Sequence, residues 1–236
     1  MKWYRILLTV VAILLPFMQP GAGRAQQAAP RVYSDAGNIY IERNGSKTKL
    51  TASEMDADPV LAPNGVYVVY TRQGRGRTLH GYDTSQFCTT EPRPDELRQI
   101  NADGTGDKLL LKGRKDNPEH QLCDFRYKQF SSDGRRLYFL TPGWTTSSAL
   151  HVFDMRSGDE RFVLPANDVL VLSFCANKYK DDLVVLAHRY FLLGGSYDWY
   201  WLYDPTGKSE LGPLGDFDNP DDMVREAHGD WCASKP

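Results

Sequence analysis

Along most of the chain, hydrophobic and polar positions alternate or gather into short apolar runs, and each run is closed by a cluster of turn residues. This pattern predicts strands and hairpins almost throughout, with little helix. Two kinds of hairpin recur. In the first, a mixed run turns at glycine into a second, more polar one. Residues 38–43 turn through Asn44-Gly45 into 47–50, and 96–100 through Asn101-Ala102-Asp103-Gly104 into 107–110. Residues 149–154 turn through Ser157-Gly158 into 161–164, and 200–204 through Thr206-Gly207 into 210–211. Glycine suits such turns because it adopts positive φ without steric cost. The second kind is nearly all apolar. Residues 59–62 turn at Pro63-Asn64-Gly65 into 66–70, 125–130 at Ser132-Asp133-Gly134 into 137–140, and 169–174 near Asn177-Lys178 into 183–187. Such runs are expected of strands covered on both faces.

The two kinds alternate strictly, polar hairpins outside and apolar ones inside, and Gly45, Gly104, Gly158 and Gly207 recur at intervals of 59, 54 and 49 residues. One inner and one outer hairpin make a four-stranded antiparallel blade, and blades set around an axis shield one another's edges. A β-sandwich has a similar strand count but does not impose this alternation. The expected fold is therefore all-β, a small propeller of four blades, each a four-stranded antiparallel sheet. Residues 31–34 would add a third strand to the first blade, and residues 222–231 would supply its fourth and close the ring. The alternatives are an open half-ring completed by a second copy and a different division into blades.

The inner turn in Phe130-Ser131-Ser132-Asp133-Gly134-Arg135-Arg136-Leu137-Tyr138-Phe139 resembles the Ser-Pro-Asp-Gly turn of TolB-type propeller repeats, and Leu61-Ala62-Pro63-Asn64-Gly65-Val66-Tyr67 is similar. The segment from Ile100 to Leu109 resembles the outer turn of that family, with Asn101, Asp103, Gly104 and Leu109 at the motif positions. The resemblance covers roughly residues 35–165 and weakens in the last blade, where residues 176–180 lack Asp-Gly. It implies architecture rather than function. TolB-type propellers usually have six blades, and the true TolB protein has an additional N-terminal domain, of which no counterpart is expected here.

The N-terminal segment changes the setting. Lys2 and Arg5 precede an apolar run from Ile6 to Met18, followed by the small-residue stretch 21–25. That is the layout of a secretory signal, residues 1–25, with cleavage after Ala25. The run is shorter than the roughly 20 residues a membrane-crossing helix needs, and Pro16 sits inside it. Residues 26–236 are expected to form a single domain with no membrane span. Losing Lys2, Arg5 and Arg24 takes the net charge from −2 to −5. Such a mildly acidic chain lacks the footprint of a nucleic-acid binder.

In an exported protein, Cys88, Cys123, Cys175 and Cys232 read as two disulfides with three possible pairings. Proximity in sequence favours Cys88–Cys123 and Cys175–Cys232. No C-x-x-C spacing or matching histidine points to a metal, and no cofactor motif is present. No G-x-S-x-G or H-E-x-x-H occurs, so no catalytic residues are assigned. Gly207-Lys208-Ser209 lacks the rest of a phosphate loop and reads as a hairpin turn. Asp216, Asp218, Asp221 and Asp222 lack a complete calcium loop and read as a solvated acidic stretch.

Three segments are candidates for binding. Tyr197, Trp199 and Trp201 lie beside Gly194-Gly195; Trp199 and Trp201 share one strand face, which would stack on a sugar or anchor a protein. Trp144 sits in the loop after an inner strand. Arg72, Arg75 and Arg77 open the long irregular stretch 72–95, where they would meet a carboxylate-bearing partner. The expected function is a non-enzymatic periplasmic scaffold for another envelope protein. A glycan-binding or glycan-cleaving propeller, an accessory domain of a peptidase-type complex and a secreted location are the alternatives.

Overall fold

The computed structural model describes residues 29–74, 88, 93–176, 178–218 and 232. The expected signal segment, Arg75, Arg77 and the stretch 222–231 lie outside the described residues. The described strands form four antiparallel sheets. The first contains β1 (Arg31–Asp35), β2 (Asn38–Arg43) and β3 (Ser46–Lys49). The second contains β4 (Asp56–Leu61), β5 (Tyr67–Arg72), β6 (Glu96–Asn101) and β7 (Lys108–Lys112). The third contains β8 (Arg126–Phe130), β9 (Arg136–Thr141), β10 (Ser148–Asp154) and β11 (Glu160–Ala166). The fourth contains β12 (Asp168–Val171), β13 (Leu183–Tyr190), β14 (Ser196–Tyr203) and β15 (Glu210–Gly215).

Each of the last three sheets is one inner hairpin followed by one outer hairpin, as the alternation predicts. The first sheet departs from the four-strand expectation: among the described residues it has three strands, because the stretch expected to supply the fourth lies outside them.

The sheets stack face to face in series. β1 and β2 lie beside β4, β4 beside β8, β8 beside β12, and β11 beside β13. Among the described residues, no extensive packing joins the first sheet to the fourth. The twofold period of a strand sends its side chains alternately into two cores. On β5, Val68 and Tyr70 pack against Ile39 and Ile41 of the first sheet, while Val69 packs with Phe130 and Phe139 of the third. On β9, Leu137 and Phe139 face the second sheet and Tyr138 and Leu140 the fourth. On β13, Leu183, Val185 and Ala187 face the third sheet; Val184 turns the other way, towards Tyr200, Leu202 and the half-buried Phe217. This accounts for the nearly uninterrupted apolar runs of the inner hairpins.

Both expected disulfides form. Cys88 bonds Cys123 across 35 residues, and Cys175 bonds Cys232 across 57, tying the C-terminal segment to the fourth sheet.

Candidate functional site

Because strand order repeats from sheet to sheet, the connections between second and third strands gather at one end of the fold. Hydrogen bonds mark this end. Asn167, just before β12, accepts from Ser148 N at the start of β10 and donates to Thr146 O in the loop after β9, and Thr71 Oγ1 at the end of β5 donates to Phe125 O before β8. The glycine turns lie at the opposite end, where Arg43 reaches Gly65 O, and Arg136 and the Tyr138 hydroxyl reach Pro205 O. The binding candidates with described positions, Trp144, Arg72 and the aromatic segment, thus belong to one end.

The aromatic segment forms a projecting ribbon. β12 pairs with β13 only as far as Leu186, and β15 pairs with β14 only from Tyr200. Beyond them, the pairs Ala187↔Trp199, His188↔Asp198, Arg189↔Tyr197 and Tyr190↔Ser196 continue alone. At ~3.4 Å per residue, these four pairs extend the ribbon about 14 Å past β12 and β15. The turn closes through Phe191 N to Gly195 O at 3.1 Å, with Gly194 and Gly195 at φ of 101° and 86°.

Trp199 is exposed and Tyr197 half-buried, their rings 5.1 Å apart. Trp201 departs from the exposed-platform reading. It lies inside the sheet, where β15 flanks it, and is 9% exposed in the core shared with the third sheet. Trp144 is half-buried against Phe162, ring centroids 5.9 Å apart. Arg72 departs from the expected partner-facing role. Its Nε donates to the buried Asp56 carboxylate at 2.7 Å, and its Nη2 to the Tyr70 hydroxyl at 3.1 Å. These bonds hold its pKa above the ordinary value; the Asp56 hydrogen bond is the largest cause.

Sequence reasoning did not single out the cavity between β4 and β8. It has a volume of about 400 Å³ and is lined by Asp58, Pro59, Val60, Arg126, Tyr127 and Lys128. Both inner strands bulge here: pairing skips from Ala57 to Val60 on β4 and from Arg126 to Gln129 on β8. Asp58 and Tyr127 adopt positive φ, 48° and 51°, an uncommon conformation for residues with side chains. Each bulge spoils the pleat and turns polar side chains into the gap between the inner strands.

Lys128 is buried beside this cavity. Its ammonium donates to Thr71 Oγ1 at 2.8 Å and Phe125 O at 2.5 Å. Burial lowers its pKa to about 8, against the opposing pull of Asp58 and Asp124. Arg126 Nε is buried 3.3 Å from Asp124 Oδ2 but lacks an aligned hydrogen-bond acceptor on the protein. The cavity is thus lined by two basic side chains, a phenol and the Asp58 carboxylate, with the Lys128 ammonium held by Thr71 and Phe125 and Arg126 beside Asp124.

Thr141, His151 and Glu160 form a hydroxyl–imidazole–carboxylate series, with His151 Nε2 3.1 Å from Thr141 Oγ1 and Nδ1 2.6 Å from Glu160 Oε1. His151 is fully buried between Phe139 and Phe162. Burial favours a raised Glu160 pKa, but hydrogen bonds from His151 and Arg114 hold it below the ordinary value. Sealed between β9, β10 and β11, the series ties strands together rather than meeting a substrate. Among the described residues, no cluster of His, Cys, Asp and Glu is arranged to hold a metal ion.

The stacked four-strand sheets, inner hairpin against inner hairpin, define a β-propeller. No family model and no curated protein matches the chain. Solved structures share its fold. The Nidogen/Laminin complex matches with 12% identity over 79% of this chain and 60% of that one, at a TM-score of 0.50. TolB from Acinetobacter baumannii matches with 12% identity over 75% and 37%, at 0.47. The β-propeller domain of the Trilobed protease from Pyrococcus furiosus matches with 13% identity over 74% and 48%, at 0.48. The chain thus spans less than two thirds of each of these chains. The expectation of an all-β propeller is met at the level of fold.

Proposed function

We propose that the chain is an exported, periplasmic β-propeller acting as a non-enzymatic scaffold, and that it holds a carboxylate-bearing segment of another envelope protein at the end carrying the second-to-third-strand connections. The cavity between β4 and β8 carries this reading, because Arg126 and Lys128 both line it and the buried Arg126 Nε lacks an aligned hydrogen-bond acceptor. Charge-assisted hydrogen bonds gain strength in such surroundings. The two disulfides fit an oxidising compartment. Burial of the Thr141–His151–Glu160 series favours a scaffold over a hydrolase, and burial of Trp201 removes half of the indole pair on which the glycan reading relies.

The test is a pull-down from bacterial envelope extract with the disulfide-bonded protein, alongside Lys128→Met, Arg126→Ala and Trp144→Ala variants whose folding is checked by circular dichroism. The wild type should retain a defined protein that the folded Lys128→Met and Arg126→Ala variants release. The reading fails if no protein is retained, or if both cavity variants retain it undiminished.

A further inference from the structure

We propose that the ribbon of residues 187–199 inserts its apex into the interfacial layer of a lipid bilayer, seating the propeller on a membrane surface without crossing it. This inference rests on different residues from the cavity reading and stands independently of it.

The apex is the most exposed apolar feature among the described residues. Leu192 and Leu193 are 99% and 97% exposed, and Tyr190 and Phe191 more than half exposed. Isolated surface leucines are ordinary, but four consecutive large apolar side chains at the tip of a projecting hairpin form a patch. Residues 190–197 contain no Asp, Glu, Lys, Arg or His. The ionisable groups of the ribbon lie behind them and are internally engaged. Arg189 folds back over Trp201, 3.6 Å from Cζ to the ring centroid, and pairs with Glu210. His188 pairs with Asp198 at 2.8 Å.

Groups are thus ordered by depth. Leu192 and Leu193 form the apex. An aromatic collar of Tyr190, Phe191, Tyr197 and Trp199 lies behind it, with the Phe191 and Tyr197 rings 4.6 Å apart. The Arg189–Glu210 and His188–Asp198 pairs occupy the base. The membrane interface favours this order, with aliphatics among acyl chains, Tyr and Trp at the headgroups and charge in water. The projection of about 14 Å past β12 and β15 exceeds an insertion depth of ~5–10 Å. Protein-binding hot spots have another composition: Trp, Tyr and Arg dominate and Leu is under-represented. Here leucine leads and the arginine is withdrawn.

The disulfide-bonded protein is floated with vesicles of phosphatidylcholine and, separately, of phosphatidylethanolamine with phosphatidylglycerol. The wild type should float with both. Leu192→Asp/Leu193→Asp should float roughly tenfold less, whereas Leu211→Asp, which alters another exposed leucine of the same sheet, should float like wild type. Trp199 should report insertion through a blue shift that Trp199→Phe lacks. Both leucines lie in solvent, so the double variant should keep its circular dichroism; should it fail to fold, Leu192→Ser/Leu193→Ser replaces it and should show the same direction of change. The proposal is overturned if the wild type floats with neither vesicle, if it floats only with the anionic ones and is released by salt, or if the double variant floats undiminished. Vesicle-independent capture of a protein by the ribbon, without flotation, would also overturn it.

Discussion

Arg189 covers the indole of Trp201, donates to the Tyr203 hydroxyl at 2.8 Å and pairs with Glu210. The guanidinium thereby closes the core between the third and fourth sheets where the ribbon leaves it. Arg189→Met keeps the apolar stem but loses the cation–π contact and the hydrogen bonds. The expected loss is about 1 kcal/mol, read as a lower urea midpoint with an unchanged slope.

Gly207 and Gly158 occupy equivalent turns with different surroundings. Both have positive φ, 70° and 81°. A Cβ on Gly207 would lie 2.1 Å from Val163 Cγ1, whereas one on Gly158 would meet nothing within 4 Å. Gly158→Ala should cost ~1 kcal/mol, the backbone penalty alone. Gly207→Ala should cost about 3 kcal/mol, because the packed Val163 side chain must move as well. Paired urea titrations give the comparison. Equal costs would mean that the third and fourth sheets are not in contact at this turn.

Burial, with Asp204 and Asp181 nearby, raises the Asp182 pKa to about 6. The folded protein therefore holds a proton between about pH 4 and 6 that the unfolded chain has released. This group's contribution favours folding in acid, declines as pH rises through 6 and remains lost above it. Asp182→Asn should raise stability at pH 7.5 by about 2 kcal/mol and leave it unchanged below pH 4. Thermal melts of both proteins at the two pH values measure the difference.

Cys175–Cys232 closes a longer loop than Cys88–Cys123 and pins residue 232 against the face of the fourth sheet where Leu172, Val184 and Leu202 are buried. Replacing both Cys175 and Cys232 with serine should cost about 4 kcal/mol by loop-closure entropy. The same change should raise binding of a hydrophobic dye, since this apolar face loses its tether.

The strands were legible because each local rule agreed with the global fold. Glycine turns such as Asn44-Gly45 and Ser132-Asp133-Gly134 fixed the hairpins, and alternating polar and apolar runs set the order of the sheets. Neighbouring cysteines then gave the disulfide pairs. The sites were less legible. Alternation placed Trp199 and Trp201 on one face, but only the lengths of β12 and β15 decide which of them is covered, and that is a long-range property. Arg72 looked available because the buried Asp56 facing it across the β4–β5 pair carries no signature in sequence. The cavity depends on positive φ at Asp58 and Tyr127, adopted in bulges without glycine, which turn chemistry does not announce.

The alternating burial along β5, β9 and β13 has a mechanical consequence. Each of these strands is a party wall between two rooms: Val68 and Val69, adjacent in the chain, belong to different cores. Removing one wall opens both rooms, so loosening in one sheet spreads to its neighbours instead of stopping at a boundary. A fold built in this way should give way as a unit, even though its sequence reads as a series of separate hairpins.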